Sequence, residues 1–440
     1  MKKYLLSALL LLGATLQTKA QVMQLTLEDA INIALSDNPT VKVADMEVQR
    51  YDYVKRQTWG NLLPQVSASG MYTRSIVKSE MRGGISFGAD NTFAFTGDVS
   101  LPLFAPQVYR TLKLNKAQLA SAVETARSTR IDLVSAVKVA FYNILLAEQS
   151  LKVLKESEAT VQQTVDETQL KYDNGLASEY DLLTAQVQLS NLKPSIIQTE
   201  NAIDVAKLSL KMYLSIPEDV EIGVMGSLSD MREMVFAGND DITTDISENS
   251  SLRQIDLQAE QLKRQLKLAN ASRLPTLAAF GQISFSGNDM KSLSFFGGGE
   301  QTPPKYKYFW THPMSVGLSL SVPIFSGLTK MNQSRSIKNQ IKQIELQRSY
   351  AEQQINVQVR NAINSLLTAR EKMFAQETTV RQAQKAYNIS LTRYNAGAGT
   401  MLELNNSQLN LTSAQLNHSQ AIFDYLSAKA EYDKIIGREK

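Results

Sequence analysis

A chain of 440 residues that is 43% hydrophobic and 20% charged carries enough apolar material for a large core, which excludes an intrinsically disordered protein. Its 46 Lys and Arg against 43 Asp and Glu give a formal charge of +3, and no nucleic-acid partner is expected from so slight a balance. The lack of any Cys excludes disulfides, thiolate metal sites, cysteine nucleophiles and an acylated N-terminal cysteine.

Residues 1–20, MKKYLLSALLLLGATLQTKA, read as an export signal. Lys2 and Lys3 precede an apolar run from Leu5 to Leu12, and Thr18-Lys19-Ala20 supplies a small-residue cleavage site. The mature chain is expected to begin near Gln21, and loss of the three lysines takes the formal charge from +3 to 0. Beyond the signal no apolar run approaches the ~20 residues of a membrane-spanning helix, which leaves a β-barrel or a soluble periplasmic protein. A helix opens at Thr26 with Asp29 three residues on, a capping pattern, and runs towards Pro64. A strand is expected near 64–74, alternating through Val66, Ala68, Gly70 and Tyr72. After a polar loop at 74–91, a second strand near 91–104 alternates through Phe93, Phe95, Val99, Leu101 and Leu103. From Gln107 to Asn174 there is neither Gly nor Pro for 68 residues, so 105–174 reads as one helix roughly 100 Å long. Its apolar positions Ile131, Val134, Val137, Phe141, Ile144, Leu151 and Leu154 follow three-and-four spacing, with Glu148 in the missing slot, as in a coiled-coil seam. A turn at Gly175 leads to a return helix at 176–214.

The order then begins again. LSDNPTV at 35–41 returns as ISENSSL at 246–252 and NLLPQVSASG at 61–70 as SRLPTLAAFG at 272–281, both at an offset of 211 residues. VSLPLFAP at 99–106 returns as LSVPIFSG at an offset of 221, and KYDNGL at 171–176 as RYNAGA at an offset of 222. This predicts an internal two-fold repeat, 21–230 and 231–440. The second copy supplies a helix, strands near 275–286 and 312–325, a long helix at 326–396 and a return helix at 400–436. Pro64, Pro102, Pro275 and Pro323 mark the expected strand–helix junctions.

In MSVGLSLSVPIF, 314–325, apolar residues alternate with Ser, Gly and Pro. That pattern suits lipid on one face and a watery lumen on the other. A barrel needs at least about eight strands and a bilayer tolerates no open edge, so four strands per chain must be completed by other copies. Small lumen-facing residues favour three copies and twelve strands. Tyr306, Tyr308, Phe309 and Trp310 would form an interfacial girdle. An ordinary sandwich with one buried face shows the same alternation; the long helices favour the barrel.

The duplicated halves, the strand exits LPLF (101–104) and VPIF (322–325), and the tips YDNGLASEYDLLTAQVQL and YNAGAGTMLELNNSQLNL resemble the TolC-like outer-membrane efflux proteins over nearly all of the mature chain. The resemblance implies an α + β membrane protein in the Gram-negative outer membrane. In it, four β-strands per chain join a trimeric 12-stranded barrel continued by a long α-helical coiled-coil tunnel across the periplasm, with a mixed α/β collar midway to which 214–250 and the C-terminus would belong. It also implies a homotrimer that contacts outer-membrane lipid and works with a periplasmic adaptor and an inner-membrane pump. The hairpin tips then become adaptor-docking candidates: Asn174, Gly175 and Leu176 on one, Ala396, Gly397, Ala398 and Gly399 on the other. Asp181 and Glu403, six residues after each tip glycine, read locally as first-turn acids favoured by the helix dipole. By resemblance they ring the periplasmic aperture beside Tyr394; hydrogen bonds through Tyr394, Asn405 and Asn406, rather than salt bridges, are the closure expected of this chain. Gly399 and Asn406 stand where some relatives have a basic and an acidic residue.

Two histidines, His312 and His418, no Cys and no phosphate-cradling loop give no basis for catalysis, a metal or another cofactor. The reading is a passive exit duct of a tripartite efflux or type I secretion system. The alternative is a periplasmic coiled-coil scaffold or adaptor that never enters the membrane.

Overall fold

The computed structural model describes residues 22–77, 79–81, 85–87, 89–237, 242–289 and 308–438. The export signal, Tyr306 of the expected girdle and the rest of 290–307 lie outside them. The chain divides into two compact units, one drawn from 1–46, 124–253 and 349–440 and the other from 47–123 and 254–348. Each unit takes segments from both sequence halves, so the compact units do not follow a 230/231 division.

The second unit carries a sheet. Strands β2 (Gln65–Arg74), β5 (Asn91–Phe104) and β7 (Thr276–Asp289) pair antiparallel in that order, and β8 (Tyr308–Thr311) and β9 (Met314–Ser321) pair successively along the far side of β7. Registration aligns Val66, Val99, Gly281 and Val316 across the sheet, as it does Ala68, Gly97, Ile283 and Met314. Because side chains alternate with period two, the apolar positions of β2, β5, β7 and β9 therefore share one face. The other face carries Ser67, Asp98, Gln282 and Ser315 in one row. The apolar face is open: Val66 and Val316 are each 76% exposed and Leu318 67%. Aromatic rings cover glycines directly across the ladder, so that a methyl on Gly287 would stand 2.8 Å from Trp310 and one on Gly317 2.9 Å from Phe280.

Several sequence expectations shift. The 74–91 loop contains a small hairpin, β3 (Ser79–Met81) with β4 (Ile85–Phe87). The strand expected at 312–325 ends at Ser321, and Tyr308–Thr311 adds β8 before it. Pro313 has no N–H for the ladder, and its carbonyl accepts instead from Ser284 N at 3.0 Å. Pro102 lies inside β5, where the register against β7 slips between Pro102 and Phe104, so it marks a bulge and not a junction.

The helix expected from Thr26 to Pro64 is two helices, α1 (Leu27–Asp37) and α2 (Pro39–Gly60). The residue before a proline is pushed out of the helical region; Asn38 is extended, and its Oδ1 accepts from Thr40 N at 2.8 Å to start α2. The long helices are α3 (Pro106–Asp173) and α7 (Thr329–Asn395), 68 and 67 residues. The second begins three residues later than expected because Gly327 and Leu328 both take positive φ. Return helices α4 (Glu179–Leu214) and α8 (Met401–Ile436) complete two hairpins.

In the first unit the α3 seam is the core. Val137, Phe141 and Ile144 are fully buried against Leu210 and Leu214 of α4, Met373 of α7 and Tyr425 and Leu426 of α8. The segment 214–250 forms β6 (Ile222–Val224), parallel to β1 (Met23–Leu25), and α5 (Leu228–Ala237). Phe236 of α5 stacks on Tyr425 at 5.2 Å. Tyr432 of α8 both donates to Thr243 O (2.9 Å) and accepts from Thr243 N (2.8 Å). Arg127 of α3 donates to Glu248 O and Gly437 O, holding that segment to the end of α8. The remaining helix, α6 (Ser250–Ala271), leads into β7. No described helix is long and apolar enough to cross a membrane.

Candidate functional site

The two hairpin tips close in the same way. At the first, Gly175 N donates to Tyr172 O (2.8 Å) and Leu176 N to Lys171 O (2.7 Å), with Gly175 at φ +71°. At the second, Gly397 N donates to Tyr394 O (3.0 Å) and Ala398 N to Arg393 O (2.8 Å), with Gly397 at φ +73°. This paired closure of a helix C-terminus requires the left-handed region, where a Cβ is penalised. Open space surrounds both glycines.

The return helices do not begin at once. Ser178 and Thr400 serve as N-caps, so α4 starts at Glu179 and not at 176. Asp181 N donates to Ser178 Oγ (3.1 Å), and Asp181 Oδ2 accepts from Ser178 N (3.3 Å) and Oγ (2.7 Å). Glu403 N donates to Thr400 Oγ1 (3.2 Å), and Glu403 Oε2 accepts from Thr400 N (3.4 Å). Both acids thus complete capping boxes, which satisfy amides that the first turn leaves without partners.

Behind the tips lies a small core of Val165 on α3, Ala185 on α4, and Met401 and Leu404 on α8. Tyr394 packs against it. The Lys171 ammonium sits 4.5 Å from the centre of the Tyr394 ring, and its hydroxyl is 3.5 Å from Thr168 Oγ1, joining α7 to α3. Burial, with Glu167 nearby, pushes the Tyr387 phenol above its ordinary range. Asn405 is buried, and its Nδ2 has no acceptor among the described residues; Asn406 is exposed. Within the described chain no hydrogen bond joins Tyr394, Asn405 and Asn406: the structure brings Tyr394 to Lys171 and Thr168 instead.

Sequence reasoning passed over Arg393. Its guanidinium donates to Ala398 O (3.1 Å) and lies 3.9 Å from the Glu403 carboxylate, so a cation reaches this tip although position 399 is glycine. Gly399 is itself confined, since a methyl there would stand 3.2 Å from Arg393 Cβ and from Tyr394 N. Also passed over was a buried polar cluster further along α8. Ser157 of α3 is 3.0 Å from Thr412 Oγ1, and Gln408 donates to Ser157 Oγ at 3.3 Å. The signal was present: Asn405, Gln408, Thr412, Gln415 and Ser419 recur at three-and-four spacing, a polar line along a helical seam.

Residues 30–215 and 244–438 match the sequence model of the family described as "Outer membrane efflux protein". The chain belongs to this family. This efflux protein is 23% identical over 414 residues to the alkaline protease secretion protein AprF of Pseudomonas aeruginosa, covering 92% of this chain and 83% of that one. It is 28% identical over 404 residues to the probable efflux pump outer membrane protein TtgC of Pseudomonas putida, covering 88% and 78%. With Escherichia coli TolC the figures are 21% over 383 residues, 86% and 75%. Among solved structures, the Vibrio cholerae outer membrane protein VceC superposes with a TM-score of 0.74 at 15% identity over 94% of this chain and 96% of that one. CusC gives 0.74 at 16% identity, over 94% and 92%. The protein is an outer-membrane exit duct for efflux in a Gram-negative bacterium; family members are channels and not enzymes.

Proposed function

We propose that three copies close their sheets into one 12-stranded barrel, and that their paired hairpins form a helical tunnel ending at the tips. One observation carries this reading: a sheet with an exposed apolar face, a polar face and free outer edges, β2 on one side and β8 and β9 on the other, among the described residues. A bilayer demands that such edges be paired. The two sequence copies would then give the tunnel wall a pseudo-repeat of six hairpins. Asp181 and Glu403 each recur three times around the aperture, serving as caps within a chain and as an acidic ring between chains. Lys171 and Tyr394 hold the two hairpins together beside that ring, and Arg393 braces the second tip.

The tips are the docking surface for a periplasmic adaptor, itself joined to an inner-membrane pump. Leu176 is 79% exposed, and the glycines beside it admit a close backbone. The relatives are named for a secreted protease and for an efflux pump; a passive duct selects little, so cargo is set by the pump. The test is single-channel recording from the mature chain in planar bilayers, beside an Asp181→Asn, Glu403→Gln double variant. Small cation-selective steps that lose selectivity in the variant are expected. Unchanged selectivity returns the acids to capping alone, and failure to insert favours the periplasmic scaffold.

A further inference from the structure

At the foot of the sheet, α2 enters β2 and α3 leaves β5. Between these helices lies a cavity of about 270 Å³ lined by Lys55, Arg56, Trp59, Leu112 and Lys116. Three cations around an apolar floor need an explanation. Asp52 pairs with Lys55 and Arg56, each at 2.8 Å, whereas Lys113 and Lys116 have no carboxylate partner among the described residues. The order of residues away from the sheet is layered. Leu63, Leu103 and Phe104, all exposed, adjoin the strands; Trp59 (56% exposed) and Tyr109 (45%) come next, and the cations follow. At ~1.5 Å per helical residue, Lys113 and Lys116 lie roughly 10 and 15 Å beyond Pro106. Helical side chains tilt towards the N-terminus, which for this helix is the side of the strands. Apolar, then aromatic, then basic is the order in which a bilayer presents acyl chains, interface and phosphates.

The other helix pair at this foot, α6 and α7, is bridged by side-chain hydrogen bonds. There Ser334 Oγ donates to Asn270 Oδ1 (3.0 Å), and Arg273 donates to Lys330 O (2.8 Å) and Ser334 Oγ (3.1 Å). The α2–α3 junction is also bridged, Asn115 Nδ2 donating to Thr58 Oγ1 at 2.6 Å, but beside that bond Trp59 and the cations border open space.

We propose that the α2–α3 groove binds the headgroup of an anionic phospholipid of the periplasmic leaflet, with Trp59 at the level of the ester groups. The proposal rests on the membrane reading of the sheet, and its test separates the two. The chain has two tryptophans, so Trp310→Phe leaves Trp59 as sole reporter and Trp59→Phe leaves Trp310. Each full mature chain is reconstituted in vesicles of phosphatidylethanolamine with a minor fraction of phosphatidylglycerol, with bromine on the acyl chains of one lipid or the other. Trp59 fluorescence should be quenched in clear excess when phosphatidylglycerol carries the label. Lys55→Gln with Lys116→Gln should remove that excess, the preference falling roughly fivefold for each cation lost. Equal quenching by the two lipids, or a preference that survives the lysine changes, overturns the proposal. So does an excess abolished by inorganic phosphate but not by chloride of equal ionic strength, since the groove would then be a site for the free ion. Trp310 quenched by either lipid with no excess at Trp59 leaves the inserted sheet and removes the lipid site; both tryptophans silent removes both.

Discussion

Single residues at helix ends test the backbone argument. Gly437 closes α8 at φ +81°, and a methyl there would stand 2.1 Å from Glu248 O. Gly175 has the same conformation in open space. Gly175→Ala should therefore cost only left-handed strain, about 1–2 kcal/mol, read as a modest fall in thermal midpoint. Gly437→Ala should also push the 243–249 segment off α8, visible as fast amide exchange there. Ser215 makes the same type of closure without being glycine: it sits at φ +57°, with Ile216 N donating to Lys211 O at 3.0 Å. Ser215→Gly should stabilise the chain by about 1 kcal/mol. The tip glycines were legible because this closure leaves a short pattern, Gly just past a long run of helix formers. Arg393 was not, because its role depends on how the chain folds back to bring Ala398 and Glu403 beside it.

Among the elements, α5 is held to α7 and α8 by a few contacts that can be loosened by pH. His418 of α8 is half-buried, with Nε2 unpartnered among the described residues; Arg232 of α5 and Glu377 of α7 are its charged neighbours. Burial lowers its pKa, a shift that Glu377 opposes and Arg232 reinforces. The folded state then binds fewer protons than the unfolded one, so this contribution is intact above pH ~6.5 and lost as pH falls towards the folded pKa. Acidification should raise amide exchange in 228–237, and His418→Gln should flatten that dependence. By contrast, Phe141→Ala should cost about 3–5 kcal/mol at any pH, since it empties a fully buried site. The long helices and the α3 seam were legible because 68 residues without Gly or Pro leave no other reading. The α1–α2 break was harder to read: Asn38-Pro39 interrupts an otherwise continuous amphipathic pattern, and a proline suits the first turn of a new helix as well as the end of an old one. The β3–β4 hairpin, three residues to a strand, gives too few alternations to show.

For the whole molecule, the two faces of the sheet should respond differently to charge. Val316→Arg places a cation on the apolar face, and membrane insertion should be impaired by about 2–4 kcal/mol. Ser315→Arg, one residue earlier and on the other face, should insert normally and shift ion selectivity towards anions; vesicle fractionation and reversal potentials measure the two. The faces were legible from period-two alternation, whereas the pairing order was not, since it joins β5 to β7 across 172 residues, Phe104 to Thr276. Nor did the pattern disclose that glycines on these strands are seats for rings. That arrangement links the heredity of neighbouring positions. A change of Gly287 to alanine collides with the indole, while a change of Trp310 to valine leaves bare backbone exposed, yet the two changes together restore a filled surface. Sequence drift on this sheet is therefore constrained to travel by paired steps, and a survey of permitted substitutions taken singly would underestimate how freely the surface can be rewritten.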